Sequence, residues 1–190
     1  MCVVGADGSG LRQITRVAPA GDGAGFAGAH LGPAVWSPDG ALFAVAAYPE
    51  RRGAASGVFV VDPQRGSSNR VSELVPSSAL IWGSDGDAVV FAATSDGRSD
   101  VFQVETADGE VHNLTSSLAQ PARDPALAPQ GGRLAVASGG AIVVFAAGTA
   151  SPDLTVRAAN DLRASQPAWS ADGETLAFTA SADPITTYDS

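Results

Sequence analysis

Four short apolar runs recur along the chain, each beginning just after a glycine-containing turn. Counting from the turn glycine, the third and fifth positions carry large side chains and the fourth is mostly small. The four triplets are Phe43-Ala44-Val45, Val89-Val90-Phe91, Leu134-Ala135-Val136 and Leu176-Ala177-Phe178. A strand with one face in water would alternate apolar with polar residues. The pattern therefore predicts β-strands that are covered by protein on both faces.

The turns before these runs share one motif, which ends in Asp-Gly in three of its four copies. Its copies are Trp36-Ser37-Pro38-Asp39-Gly40, Trp82-Gly83-Ser84-Asp85-Gly86, Leu127-Ala128-Pro129-Gln130-Gly131 and Trp169-Ser170-Ala171-Asp172-Gly173. Ser, Pro, Asp and Gly in this order favour a type I turn, so the motif predicts a β-hairpin. Steps of 46, 45 and 42 residues separate the copies. A period of ~40–50 residues is typical of a propeller, a solenoid or another repeat array.

Each repeat has room for four short antiparallel strands, which favours an all-β fold of the β-propeller type with about four blade equivalents. A β-sandwich is the alternative, but it would lack the recurring Trp and Asp-Gly motif. We expect the tryptophans to end the first strand of successive blades and to be buried between blades. The predicted units are half a blade at 1–16, blades at 33–73, 79–116 and 125–158, and half a blade at 167–190.

The motif at 33–40, with Pro33 before the Trp, and the segment Ala6 to Thr15 resemble the WD-like repeat of TolB-type propellers. Leu127 and Gln130 depart from that pattern in the third repeat. The resemblance implies a non-enzymatic protein-interaction module of the cell envelope or periplasm. It also leaves open an alternative, the gating propeller of a prolyl-oligopeptidase-like serine peptidase whose catalytic domain lies outside this chain.

Composition narrows the classes of partner. The net charge of −9 argues against nucleic acid, because phosphate binding needs clustered cations. No apolar run approaches the ~20 residues that cross a membrane as a helix, and no signal peptide precedes the repeats. Cys2 is the single cysteine, so an internal disulfide is excluded. We therefore expect a protein partner, whose identity the sequence leaves open.

Residue patterns for catalysis are missing. No Gly-x-Ser-x-Gly elbow occurs, so a hydrolase nucleophile of that type is not predicted. His30 has no carboxylate or thiol nearby in sequence, and His112 stands at a solvent-facing strand position. Asp96 to Asp100 lacks the alternation and the closing Glu of a calcium loop. The sequence therefore predicts no catalytic residue, no metal site, no cofactor and no enzyme activity.

The expected topology points to one end of the sheets as the binding face. In an up-and-down blade, the first and third turns lie at one end, and the second turn and the crossovers lie at the other. The long connections at 17–32, 49–57 and 116–124 fall at the second end, and loops on a rigid scaffold often carry binding residues. The low-specificity candidates there are Phe26, Glu50, Arg51, Arg52 and Arg123.

The incomplete first and last repeats have two interpretations. Their half-blades could pair and seal a small ring, with residues 3–6 running antiparallel to 176–180. Alternatively, the chain is a piece of a larger propeller, and 185–189 begins a third strand of the last blade. We favour the second interpretation, and we expect the Gly-rich segment at 18–32 to be mobile.

Overall fold

The computed structural model describes residues 1–14, 26, 28–146, 149 and 151–182, which contain strands and no helix. The expected strand at 185–189 and most of the Gly-rich segment at 18–32 lie outside these residues. Seventeen strands are described: β1 Cys2–Val3, β2 Arg12–Gln13, β3 Ala29–Leu31, β4 Val35–Trp36, β5 Phe43–Pro49, β6 Gly57–Asp62, β7 Ser67–Ser72, β8 Ile81–Trp82, β9 Ala88–Ser95, β10 Arg98–Glu105, β11 Val111–Asn113, β12 Ala122–Leu127, β13 Arg133–Ser138, β14 Ala141–Ala146, β15 Pro152–Arg157, β16 Arg163–Trp169 and β17 Leu176–Ser181.

The strands form antiparallel sheets in chain order. In the first blade, β3 and β4 lie end to end along one edge of β5, and β6 and β7 follow on its other side. The second blade is β8 to β11 and the third is β12 to β15. An N-terminal hairpin of β1 and β2 precedes them, and a C-terminal hairpin of β16 and β17 follows. This arrangement confirms the predicted all-β, propeller-type fold.

In the third blade and in the C-terminal hairpin, the first strand is longer than its sequence pattern suggests. In the third blade, β12 pairs with β13 on both sides of a bulge between Arg123 and Ala126. The C-terminal hairpin has the same irregularity between Ser165 and Ala168. The sequence indicated only the part after the bulge, because a bulge shifts the side-chain alternation on which strand prediction depends.

The alternation of large and small side chains packs each sheet against the next. Ala44 and Val60 of the first blade face Val89 and Phe91 of the second in one buried cluster. Equivalent clusters join the second blade to the third, and the third blade to the C-terminal hairpin. Both faces of the central sheets are therefore covered, as the apolar pattern predicts.

The tryptophans hold equivalent positions, but they are not all buried. Each of the three ends the first strand of its hairpin. They pair at the same register with the second strand, as Trp36 with Phe43, Trp82 with Val89 and Trp169 with Leu176. Trp82 is 8% exposed, and its Nε1 donates a hydrogen bond to the carbonyl of Val35 in the preceding blade, at 2.8 Å. Trp169 repeats this bond to Ala126, at 3.1 Å.

Trp36 contradicts the expected burial, since it is 51% exposed. Its ring meets Phe43 edge-on at 5.4 Å between centroids, and no hydrogen bond from its indole is found among the described residues. The physical reason is topological. The hairpin that precedes the first blade consists of β1 and β2, so no described first strand lies where Trp36 would find a carbonyl.

Within the described residues, β1 pairs with β2 and β17 pairs with β16, and neither edge reaches the other. The pairing of residues 3–6 with 176–180 that a sealed ring requires is therefore not formed. In the part of the chain that the structure describes, the blades form an open arc, which is consistent with a partial propeller.

Candidate functional site

The strand order defines two ends of the arc. The turn face carries the first and third connections of each blade, and the loop face carries the second connections and the crossovers between blades. The loop face is less irregular than expected, because Asp96-Gly97 and Gly139-Gly140 form two-residue turns there. Tight turns therefore occur on both faces of the described blades. Long loops at the second connection are confined to the first blade, where residues 50–56 join β5 to β6.

Phe26 is a packing residue rather than a surface contact. It is 5% exposed, and its ring lies edge-on to Phe59 with centroids 4.9 Å apart. Both rings belong to the cluster that joins the N-terminal hairpin to the first blade. The glycine-rich surroundings of Phe26 show no periodicity, so its burial could not be predicted from the sequence.

Glu50, Arg51 and Arg52 lie together in the exposed loop that joins β5 to β6. The backbone amide of Glu50 donates to the carbonyl of Gly28 at 2.9 Å, and the amide of Ala54 donates to the carbonyl of Arg51 at 3.1 Å. No ion pair holds these three side chains among the described residues. The loop therefore has a fixed backbone and presents its charged side chains to solvent.

Arg123 belongs to the same face but to a different blade. It lies at the bulge of β12, and its Nε is 3.8 Å from the carboxylate of Asp124. That carboxylate also accepts a hydrogen bond from the backbone amide of Gln166 at 3.2 Å, which links the third blade to the C-terminal hairpin. No described contact joins Arg123 to the loop at 50–52, so the predicted candidates do not form one cluster.

A buried polar network fixes the crossover from the second blade to the third. Asp100 is 5% exposed and accepts hydrogen bonds from the hydroxyl of Thr115 at 2.9 Å and the amide of Asn113 at 3.2 Å. Arg98 lies 3.1 Å from the same carboxylate and also donates to the carbonyls of Leu118 and Gln120. These bonds satisfy the buried charge and hold the loop face in place.

Two arginines missed by the sequence analysis, Arg157 and Arg163, share a shallow cleft of about 200 Å³ on the loop face. They stand at the two ends of the crossover between β15 and β16, and Asp161 and the turn Gly139-Gly140 complete the lining. Neither arginine forms an ion pair with the described residues. The sequence signal that could have identified these two arginines is a basic residue at each end of a predicted crossover.

Charge is segregated between the two faces. Seven of the ten arginines in the described part of the chain lie on the loop face, beside six acidic residues. The seven are Arg51, Arg52, Arg70, Arg98, Arg123, Arg157 and Arg163. The turn face carries three arginines and eleven acidic residues, which are Asp7, Asp39, Asp62, Asp85, Asp87, Glu105, Asp108, Glu110, Asp153, Asp172 and Glu174. Most of the net negative charge of the described residues is therefore at one end of the arc.

The aspartates of the turn motif are structural acceptors. In the first blade, Asp39 accepts from the hydroxyl of Ser37 at 2.6 Å and from the amide of Ala41 at 3.0 Å. Asp172 repeats this arrangement in the C-terminal hairpin. The hydroxyl bond, followed by the amide bond, lowers the pKa of each carboxyl from its ordinary value of 3.8. These carboxylates therefore stabilise their own turns.

The two histidines lie in different blades. His30 lies on β3, 6.3 Å from the ring of Tyr48, and His112 lies on β11 with its Nε2 3.7 Å from Glu110. Across the described ranges, no group of three or more His, Cys, Asp or Glu side chains is placed to hold a metal ion. No helix among the residues described is long and apolar enough to cross a membrane.

Comparison with known proteins identifies the fold. No protein-family model matches the sequence, and no curated protein sequence matches it. Among solved structures, TolB from Acinetobacter baumannii superposes with a TM-score of 0.63 at 18% identity, over 98% of this chain and 43% of TolB. A putative TolB from Agrobacterium tumefaciens gives 0.51 at 17% identity, over 77% and 59% of the two chains. An oligogalacturonate lyase in complex with manganese gives 0.52 at 17% identity, over 72% and 37%. The chain thus spans less than two thirds of the length of each of these proteins.

Proposed function

Starting from its TolB-like propeller fold, we propose that this chain is a non-enzymatic, extracytoplasmic interaction module that binds an acidic protein partner through its loop face. The fold alone does not decide this function, because folds of this kind carry unrelated roles. TolB proteins and an oligogalacturonate lyase both superpose on the arc. The cell-envelope setting is what the resemblance of the repeats to TolB-type propellers implies.

One observation supports the proposal, the concentration of arginines on the loop face of a strongly acidic chain. Arg51 and Arg52 lie in the loop that joins β5 to β6, the longest second connection of the described blades, and Arg157 and Arg163 line the cleft of that face. None of these four is neutralised by a described carboxylate. Complementary charge steers a partner to a surface and orients it. An acidic partner would be attracted to this face and repelled by the acidic turn face.

A charge-reversal experiment tests this assignment. The purified chain, immobilised, is used to capture proteins from an envelope extract of the source cell, in parallel with the R51E/R52E variant. The R65E variant is the matched control, since Arg65 is also exposed but lies on the turn face, paired with Asp62 at 2.9 Å. The proposal predicts a protein retained by the wild type and by R65E and lost with R51E/R52E. Equal retention by all three would contradict it.

The non-enzymatic part of the proposal has its own test. The chain should hydrolyse neither chromogenic esters nor peptide substrates, because the sequence holds no nucleophile elbow and the histidines do not meet a serine and a carboxylate in any described contact. The assay is release of chromophore by the purified protein. Turnover that disappears when a single serine of this chain is replaced would contradict the proposal.

A further inference from the structure

Two departures from the repeat pattern face each other at a single blade junction. Trp82 fills the junction between the first and second blades, in a cluster that contains Val60. Trp169 fills the junction between the third blade and the C-terminal hairpin, against a cluster that contains Val144. At the intervening junction, Leu127 takes the tryptophan position, as its pairing with Leu134 shows. Gln103 takes the valine position, since it pairs with Val90 as Val60 pairs with Ala44.

The smaller side chain leaves an unfilled space. A cavity of about 420 Å³ lies between the second and third blades, toward the turn face. Its floor is apolar and includes Leu114, Leu127 and Phe145, of which Phe145 is 2% exposed. At the other two junctions, the indole of Trp82 or Trp169 is inserted between the sheets instead. Apolar cavities left by a missing side chain bind small molecules that resemble the missing group.

The rim of the cavity is polar. Gln103 lies on the wall and donates from its Nε2 to Glu105 at 2.7 Å, and its neighbour in the ladder, His112, lines the same opening. Arg133 begins β13 at the mouth of the cavity and forms no ion pair with any described residue. A guanidinium in this position offers several N–H donors to a carboxylate. An apolar floor with a few convergent polar groups is typical of a small-molecule site, and the volume is within the usual range.

We propose that this cavity binds a small aromatic carboxylate of about the size of an indole, with the ring against Leu127 and Phe145 and the carboxylate on Arg133. The site is independent of the loop face, because the cavity opens at the opposite end of the blades. The tryptophan side chains of the sister junctions define the shape of the ring. Arg133, which forms no ion pair with any described residue, defines the charge.

The test is a titration of the isotopically labelled chain with indole-3-acetate, followed by NMR. Saturable shifts are expected at residues that line the cavity. The L127W variant restores the tryptophan of the sister blades, so it should lose the binding and melt at a higher temperature than the wild type. L127F, which fills part of the same space, serves as the test if the larger replacement does not fold, and it should weaken binding. Absence of saturable shifts in the wild type, or unchanged binding in the folded variants, would overturn the proposal.

Recognition of the carboxylate is tested by comparing indole-3-acetate with neutral indole. The R133A variant should bind indole-3-acetate about tenfold more weakly than the wild type does, and its affinity for indole should be unchanged. The matched control is R65A, because Arg65 is an exposed arginine of the same face that lies outside the cavity. This variant should bind both ligands with the affinity of the wild type. If R133A affects both ligands equally or neither, the arginine does not bind the carboxylate. Failure of the loop-face capture experiment would leave these expectations unaltered.

Discussion

The clearest energetic prediction concerns two tryptophans at equivalent positions in different surroundings. Trp82 is 8% exposed and donates its indole hydrogen bond across the junction to Val35, whereas Trp36 is 51% exposed and has no described acceptor. Replacing each with alanine removes the same atoms from the same position of the repeat. The difference in the free energy of unfolding between W82A and W36A therefore measures what the neighbouring blade contributes.

The magnitude follows from the area and the bond. A buried aromatic side chain covers about 150–250 Å², and at ~25 cal/mol per Å² the burial of Trp82 contributes about 4–6 kcal/mol. Measured large-to-small replacements in cores cost about 3–5 kcal/mol. The buried half of Trp36 is expected to contribute about 2 kcal/mol on the same scale, without a cavity or a lost hydrogen bond. W82A should therefore cost at least about 2 kcal/mol more than W36A.

The assay is urea unfolding of the wild type and both variants, followed by far-UV circular dichroism, because tryptophan fluorescence changes with the mutations themselves. The free energy of unfolding in water is obtained by linear extrapolation, and the slopes must agree for the comparison to hold. An equal cost for the two variants would refute the reasoning, since it would mean that the indole of Trp36 is as well packed as that of Trp82.

Three further predictions follow from single contacts. Gly57→Ala should cost more than about 2 kcal/mol, because Gly57 has φ +106° and an added Cβ would lie 2.0 Å from the carbonyl oxygen of Ser72; chemical denaturation measures it. Thr115→Val should cost about 2–3 kcal/mol, because it removes a buried donor to Asp100, and the same assay applies. The lowered pKa of Asp39 means that its contribution to stability is complete above its ordinary pKa of 3.8 and is lost as the pH falls through the lowered value. The melting temperature should therefore decline once the pH drops below about 4, and NMR titration should show that carboxyl protonating below its ordinary pKa.

Matched variants separate these effects from general destabilisation. Gly53→Ala changes a glycine with φ +80° and no atom within 4 Å of the added Cβ, so it should cost less than Gly57→Ala. Thr106→Val removes an exposed hydroxyl that donates to the carbonyl of Asp87, so it should cost less than Thr115→Val. Ser37→Ala should raise the pKa of Asp39 toward its ordinary value, because the serine hydroxyl is the largest cause of the shift. Equal effects within any of these pairs would contradict the corresponding contact.

Much of the fold could be predicted because it depends on local patterns. The turn motif specifies the hairpins, and the large and small alternation at residues such as Phe43 and Ala44 specifies sheets covered on both faces. The features that the sequence did not reveal depend on pairing and packing with other strands. The bulge at Arg123 breaks the alternation, and the exposure of Trp36 depends on a strand that lies outside its own repeat.

The candidate site could be predicted only in part. The exposure of Arg51 and Arg52 follows from their place in a polar loop between apolar runs. Phe26 was assigned to that surface, yet its burial depends on a contact with Phe59, distant in sequence. The substitution of Leu127 for tryptophan was visible in the repeats. The cavity beside Leu127 could not be predicted, because it also depends on Gln103, which the structure places on the opposite wall of the same junction.

The central claim, that the loop face is the surface that meets a protein partner, is tested most directly by site-specific photocrosslinking in the source cell. A photoreactive amino acid is placed at Arg52 on the loop face or, in a separate variant, at Glu174 on the turn face; both positions are exposed. A discrete crosslinked protein from position 52 and none from position 174 is the predicted result. Crosslinking from position 174 alone, equal crosslinking from both, or no crosslink at position 52 would contradict the claim.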